Sequence, residues 1–455
     1  MRSGSLLTRP VVSGLARALD LMVVVAAGFL AAWMRWSGEE PEVVDLVRLV
    51  HLSGSLLAAL GFAFALSYEL EDLRDPGRSL GRLLAVWSGA IGAVLVLLYA
   101  LKVSDSVSRL WIGYWWLAGT LGLLAARTAL ALAIGAAQRA GRLRRAVLVI
   151  GERDGGTSLA ERLRASAGEE IHVVAALPFP AAERGGEEHP LRRYPELAAV
   201  LRAQPVDEVI LASDRARTEE VDELLRWLRA FPVAASLAAD GLGARVPLLS
   251  LARIGDTPVL RVIERPLDGW ARVVKALEDR VLGTLLLLLA SPLMVAIAIA
   301  VKLSSPGPVL FRQLRHGFNQ EPIEVLKFRT MYVDRCDPPD AKEVRQATRD
   351  DPRVTPLGRF LRRTSLDELP QLINVVRGEM SLVGPRPHAL AHNDAYAAQI
   401  DDYLARHRVK PGITGWAQIN GCRGETPSVS DMARRIRLDL EYVEQWSLAR
   451  DLFIL

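Results

Sequence analysis

Residues 83–101 read LLAVWSGAIGAVLVLLYAL, without one charged side chain. At this length a helix of such residues matches the hydrocarbon core of a bilayer. Three further apolar runs surround it, at Ala18–Met34, Leu49–Tyr68 and Leu110–Ala126. Together they predict a four-helix transmembrane bundle over residues 1–140. The first run is the weakest, being short with Asp20 near its start. A cleaved signal peptide is not expected, because no small-residue cleavage site follows that run and more apolar runs do. Trp33, Trp36, Trp111, Trp115 and Trp116 lie near run ends, where interfacial anchors belong.

Loop charges orient the bundle. Arg2, Arg9 and Arg17 precede the first run, Arg74, Arg78 and Arg82 lie in the second loop, and Arg139, Arg142, Arg144 and Arg145 follow the fourth run. The first loop is acidic, with Glu39, Glu40, Glu42 and Asp45, and the short third loop carries Lys102 and Arg109. The positive-inside bias therefore places the N-terminus, second loop and exit in the cytoplasm. An even number of spans leaves the rest of the chain there too. The chain is 50% apolar with 24% charged residues, a mixture that suits membrane helices joined to soluble domains.

Residues 145–265 read as α/β. RRAVLVIG is a short buried strand ending in glycine, SLAERLRA is helical, and VDEVILAS is a strand followed by the helical EEVDELLRWLRAF. A Rossmann-like middle domain is expected. Its first turn, GERDGG, lacks the G-x-G-x-x-G spacing, so it reads as a structural turn without an assigned ligand.

A fifth run, Val281–Val301, is uncharged and long enough to span. Ser291-Pro292 falls at its middle, and proline removes a helix hydrogen bond and kinks the axis. Basic residues flank both ends: Arg272, Lys275 and Arg280 before, Lys302, Arg312 and Arg315 after. A re-entrant helix that bends at Pro292 and returns keeps both flanks on one side, with Ser291 serving a backbone group freed at the bend. An ordinary kinked span is the alternative.

Beyond it lies the chemistry. Pro306, Gly307 and Pro308 make a turn, and Lys327 and Arg329 follow a short β-like stretch. Residues 364–387, TSLDELPQLINVVRGEMSLVGPRP, set Asp367 and Glu368 side by side before a Gly-Pro-Arg-Pro turn carrying Arg386. Ser365-x-x-Glu368 has capping-box spacing, which predicts a helix starting near Leu366 or Asp367 with both carboxylates at its N-terminus. Arg359, Arg362 and Arg363 precede the pair. An Asp-Glu pair can hold Mg²⁺ while arginines grip phosphate oxygens, and a carboxylate can attack phosphorus. The membrane context suggests a lipid phosphate as one substrate. The turn-rich tail YLARHRVKPGITGWAQINGCRGET offers Gln418, Asn420 and Arg423 for reading a base or sugar. The net charge is +4, and nucleic acid is not expected, since no zinc-finger spacing occurs and the aromatics lie mostly in apolar runs. Cys336 and Cys422 form no disulfide framework and read as ordinary packing.

Over residues 265–450 the motifs SSPGPVLFRQLRHG, KFRTM, TSLDELPQLINVVRGEMSLVGPRPHA and VKPGITGWAQINGCRGET resemble the bacterial polyprenyl-phosphate hexose-1-phosphate transferases. VVKALEDRVLG and GPRPHALAHN are most similar to the xanthan-type undecaprenyl-phosphate glucose phosphotransferases. The resemblance implies a membrane protein of mixed α and α/β class, ending in a monotopic, mostly helical catalytic domain at 266–455 built on a re-entrant kinked helix. It implies transfer of hexose 1-phosphate from a UDP-sugar to undecaprenyl phosphate with Mg²⁺, the first membrane step of exopolysaccharide repeat synthesis at the bacterial inner membrane. Asp367 would be the nucleophile that forms a phosphosugar–aspartyl intermediate, and Asp367 with Glu368 would hold the metal. Lys327, Arg329, Arg362 and Arg386 would face phosphates, with Gln418 and Arg423 toward the nucleotide sugar. The expected partners are a UDP-sugar, undecaprenyl phosphate, the bilayer and a second copy of the chain. Glucose is the expected sugar, galactose the alternative; a nucleotide-responsive scaffold is the non-enzymatic alternative. The chain ends at WSLARDLFIL, sooner than the resemblance leads one to expect.

Overall fold

The computed structural model describes residues 8–36, 44–151, 155–167, 171–180, 193–212, 218–238, 250–254, 257–335, 351–388, 393, 396–424 and 428–455. Cys336, Glu39, Glu40, Glu42, Arg2, residues 152–154 of the GERDGG turn and Ala389–His392 lie outside them. Two compact units emerge, Ser5–Arg144 and Arg145–Leu455, the latter grouped with the first four residues.

The first unit holds α1 (Arg9–Trp36), α2 (Val44–Ala65), the short α3 (Leu70–Arg74), α4 (Pro76–Ala100) and α5 (Arg109–Arg139). The four long helices are long and apolar enough to cross a membrane. Their starts follow from local chemistry. Asp75 accepts from Gly77 N with Pro76 in the first turn of α4, and Ser108 accepts from Trp111 N at the start of α5.

Asp20 does not weaken α1. Its Oδ2 lies 2.6 Å from Arg127 Nη2 on α5 and accepts from the Tyr68 hydroxyl at 2.8 Å, with both charges buried. Paired and hydrogen-bonded, the carboxylate escapes much of the cost of a lone buried charge. The tryptophans divide differently from the expectation. Trp33 and Trp116 are exposed, but Trp111 and Trp115 are fully buried and stack on each other, donating to the carbonyls of Gly28 and Val24. They fasten α5 to α1 from inside the bundle, because each indole N–H finds a carbonyl there.

The second unit opens with a six-stranded sheet in the order β2-β1-β3-β4-β6-β5. Its strands are β1 (Arg145–Gly151), β2 (Ile171–Pro178), β3 (Glu208–Ala212), β4 (Ala234–Ala238), β5 (Ser250–Ile254) and β6 (Thr257–Ile263). The first four run parallel, and β6 and β5 add antiparallel. Between them lie α6 (Gly155–Ala167), α7 (Pro195–Ala203) and α8 (Thr218–Leu228). This is the expected α/β pattern, and Gly151 shows why a glycine ends β1: a Cβ there would stand 2.6 Å from Gly156 N. The expected 145–265 and 266–455 domains share one core. Leu197, Trp227 and Phe231 of the sheet layer cluster with Tyr403, Leu404, Met432 and Ile436.

α9 (Trp270–Ser304) is a single helix with Pro292 inside. Proline leaves the Leu288 carbonyl without its usual N–H donor, and the Ser291 hydroxyl donates to that carbonyl at 2.8 Å. Both halves of α9 pack on the same domain. Leu282, Leu287 and Ala290 meet Leu372 and Val375, while Met294, Ile297 and Val301 meet Phe328 and Leu361. The hairpin β7 (Leu310–His316) and β8 (Pro322–Phe328), then α10 (Pro356–Thr364), α11 (Gln371–Arg377) and the parallel pair β9 (Ser381–Val383) and β10 (Gly412–Thr414) complete the platform. Helices Val429–Glu444 and Leu448–Ile454 close the chain.

Candidate functional site

Four segments converge around Glu368: the end of β8, the turn between α10 and α11, the turn after β9, and the loop after β10. The carboxylates sit in the first turn of a helical stretch that starts at Leu366, as expected, but the capping box does not form. Ser365 adopts a left-handed conformation, φ +60°, and makes no capping bond. A capping box needs an extended cap residue, so none forms. Leu366–Glu368 make a 3₁₀ turn, and α11 starts only after Pro370. The Glu368 side chain turns away from the helix because stronger partners claim it. Lys327 Nζ lies 2.7 Å from its Oε1, and Arg386 forks onto both oxygens at 2.6 and 3.2 Å.

The two adjacent carboxylates therefore differ. Burial pushes the Glu368 carboxyl up, but Arg386 and Lys327 together outweigh it and hold the group at about 2. Asp367 is also buried, and burial raises its carboxyl above the ordinary range against the pull of Lys327 and Arg362. Its carboxylate bonds to its own backbone N–H and, among the described residues, to no other side chain. One carboxylate is spent on cations and the other is free to react. Environments that drive neighbouring acids apart in this way are the mark of divided roles.

The remaining expected residues sort out by geometry. Arg362 donates from Nε to Thr330 Oγ1 at 2.9 Å, on the side of Asp367. Gln418 and Arg423 line the same groove as Glu368, and Arg423 also reaches the Ser365 hydroxyl. Arg329 does not join them. Its buried guanidinium donates to the carbonyls of Val301, Ser305 and Pro306, satisfying the exposed end of α9. β8 ends at Phe328, one residue earlier, so Lys327 and Arg329 part company there.

Sequence reasoning passed over Arg315. It donates to the Pro387 carbonyl beside Arg386, and burial and Arg386 together lower it to about 10. With Lys327, Arg386 and Arg315 around Glu368, the site keeps an excess of positive charge, which suits a diphosphate. Its presence in FRQLRHG, a motif already singled out, was the available signal.

A groove of about 670 Å³ opens at Glu368. Its floor is apolar, from Leu286, Leu289 and Leu293 of α9 to Leu372, Ile413 and Leu455, while Ser365, Glu368, Gln418 and Arg423 mark one polar end. Such a shape takes a long apolar chain with a charged head.

Comparison with known proteins agrees with this geometry. The family profile described as bacterial sugar transferase matches residues 270–455, and one described as a CoA-binding domain matches residues 66–239. The chain is 37% identical over 454 residues to the UDP-glucose:undecaprenyl-phosphate glucose-1-phosphate transferase of Xanthomonas campestris pv. campestris, covering 96% of this chain and 91% of that protein. It is 42% identical over 351 residues to the protein of the same name from Escherichia coli (strain K12), covering 77% of this chain and 74% of the relative. A third relative of that name, from Klebsiella pneumoniae, is 38% identical across 75% of this chain and 73% of its own. With a divided carboxylate pair, a cationic clamp and an apolar groove set on the part of the chain that the family profile matches, this protein belongs to the bacterial sugar transferases.

Proposed function

We propose that this chain transfers glucose 1-phosphate from UDP-glucose to undecaprenyl phosphate, giving undecaprenyl-diphosphate glucose and UMP. This is the membrane step that starts an exopolysaccharide repeat. The observation that carries the reading is the free Asp367 carboxylate beside a clamped Glu368, at the polar end of an apolar groove.

The diphosphate of UDP-glucose sits against Lys327, Arg386 and Arg315. An Asp367 oxygen attacks the phosphorus that bears glucose, the bridging P–O bond breaks, and UMP leaves with the electron pair. The resulting acyl phosphate is then attacked by an oxygen of undecaprenyl phosphate. The Asp367–phosphorus bond breaks and the carboxylate returns. Lys327 and Arg386 hold Glu368 ionised and present N–H groups where charge gathers on the phosphoryl oxygens.

Among the described residues no group of three or more His, Cys, Asp or Glu side chains is placed to hold a metal ion. Mg²⁺ needs no such cluster, since it is held by one or two carboxylates and completed by water and substrate phosphates. Asp367 and the less occupied Oε2 of Glu368 would hold it, and it would neutralise charge on the diphosphate.

α9 enters the cytoplasmic leaflet of the inner membrane and returns. Its outward leucines, among them Leu288, Leu289 and Leu303, are exposed. A straight helix of 35 residues would run about 52 Å. Yet Lys275 pairs with Asp451 at 2.6 Å near one end, and Arg329 donates to the Val301 carbonyl at 3.2 Å near the other. Contacts of both flanks with one domain support a dipping helix over a spanning one. The active site then lies at the leaflet edge, where the lipid phosphate stays hydrated and the UDP-sugar arrives from the cytoplasm.

The test is the first half-reaction. Wild-type protein given UDP-glucose labelled at the glucose-bearing phosphate should release UMP and retain label on the chain, while Asp367→Asn should do neither and still fold. Turnover by Asp367→Asn would end the mechanism. UMP release from UDP-galactose but not UDP-glucose would change the sugar.

A further inference from the structure

The helix Val429–Glu444 touches neither Glu368 nor Asp367, but its buried face reaches toward both arginine-bearing loops of the site. Arg435, one turn before Asp439, donates from Nε to the carbonyl of Cys422 at 3.1 Å and from Nη2 to that of Gly424 at 2.7 Å. These two carbonyls flank Arg423. Asp439 pairs with Arg406 at 2.8 Å, both 2% exposed, and Arg406 Nη2 donates to the carbonyl of Arg386 at 2.6 Å. One turn further on, the Tyr442 hydroxyl shares its one proton between Asp451 Oδ1 at 2.8 Å and the Val383 carbonyl at 3.0 Å, just ahead of the Gly-Pro-Arg-Pro turn. Along one helix face, spaced four and three residues apart, three polar side chains thus fix the backbone on either side of two substrate-facing arginines.

Neither arginine loop is held by regular structure at these points. A buried guanidinium or hydroxyl bonded to a backbone carbonyl fixes where the next side chain starts, and the partner it would lose is costly to replace. We propose that the helix Val429–Glu444 is the positioning element of the site. In this assignment Arg435 sets Arg423 for the nucleotide sugar, and Asp439, through Arg406, sets Arg386 for the transferring phosphoryl group. Arg435, Asp439, Arg406 and Tyr442 are positioning residues and touch no substrate. This rests on the transferase reading above.

The two branches predict opposite kinetic signatures. Displacing Arg423 removes binding shared by substrate and transition state, which raises KM. Displacing Arg386 weakens an interaction that matters most at the reacting phosphorus, which lowers kcat. The experiment uses the full chain in nanodiscs, with UDP-glucose and undecaprenyl phosphate and UMP release as readout. Wild type must turn over; if it does not, the transferase reading itself fails. Given turnover, Arg435→Gln is expected to raise KM for UDP-glucose about tenfold with kcat within about twofold. Asp439→Asn is expected to lower kcat about tenfold with KM within about twofold. Arg435→Lys, which keeps a donor for one of the two carbonyls, should recover part of the KM. If Asp439→Asn shows no cooperative melt, Arg406→Lys, which keeps a cation for Asp439 and loses the fork that reaches the Arg386 carbonyl, carries the kcat prediction. Equal losses in both branches, or no change in either, would reduce the helix to a scaffold and overturn the assignment.

Discussion

Arg386 grips both carboxylate oxygens of Glu368, Nη2 to Oε1 at 2.6 Å and Nη1 to Oε2 at 3.2 Å, across eighteen residues of chain. Lys327 holds the same carboxylate from β8. The two cations hold a buried negative charge whose carboxyl burial alone would push up.

Removing one of them should therefore change protonation as well as rate. Glu368 lies at about 2, below its ordinary 4.5. Its ion pairs thus stabilise the fold fully above about 4.5, and that contribution fades as pH falls toward 2. In Arg386→Gln only Lys327 and Arg315 remain against burial, so the Glu368 carboxyl should rise. We expect kcat to fall about 100-fold and the acid limb of the kcat/KM profile to move to higher pH. A profile of unchanged shape would show that Arg386 does not set the charge on Glu368.

The dipping helix is tested by access. Leu277 and Leu303 are exposed on the two halves of α9. In a background lacking Cys336 and Cys422, Leu277→Cys and Leu303→Cys should both resist a membrane-impermeant thiol reagent added outside intact cells and both react in inverted vesicles. Labelling of one position from outside would mean that α9 spans the bilayer. In the proposed dipping arrangement, Pro292→Ala restores an N–H donor for the Leu288 carbonyl, favours a straight helix and should lower activity.

What could be seen in the sequence was whatever is carried by contiguous residues. Asp367, Glu368, Lys327 and Arg386 sit in compact motifs, and the structure gathers all four around one site. The Ser291-Pro292 pair also named its own remedy, since a proline frees one carbonyl and a serine beside it can reach it. Arg329 could not be separated from Lys327 by reading KFRTM, because the difference lies in where β8 stops and α9 ends. Ser365 misled in another way. Its spacing to Glu368 promised a capping box, but cations from distant strands outcompeted the backbone for that carboxylate. Arg435 and Asp439 were hidden for a third reason: charges four apart on an amphipathic helix read as a solvated face. Trp111 and Trp115 likewise looked interfacial, and only packing revealed their carbonyl partners on α1.

The bundle carries a buried charge pair of its own, whose role is structural. Arg127 and Asp20 join α5 to α1, and Tyr68 donates to the same carboxylate oxygen. Arg127→Met leaves Asp20 buried without its cation and should destabilise the full-length protein by about 3–5 kcal/mol. The double variant Asp20→Asn/Arg127→Met should recover much of that loss, since no unpaired charge remains. Melting in detergent measures both. If the double variant melts no higher than the single one, the pair does more than cancel its own charges.

In the proposed arrangement the polyprenyl chain takes the apolar floor of the groove, so a variant there should separate the two half-reactions. Leu289 lines it from α9 and is exposed, whereas Lys327, Arg386 and Arg315, which face the diphosphate, are not among its lining residues. Leu289→Arg puts a charge where the polyprenyl chain would lie. Burying that arginine beneath the chain is unfavourable, because a charged group loses water and gains no partner there. UMP release in the absence of acceptor should then stay within about twofold of wild type, while KM for undecaprenyl phosphate should rise about tenfold or more. A shortened water-soluble acceptor phosphate would feel the substitution far less, since it leaves the floor uncovered. Loss of the first half-reaction in Leu289→Arg would instead place the UDP-sugar in this groove and send the lipid elsewhere.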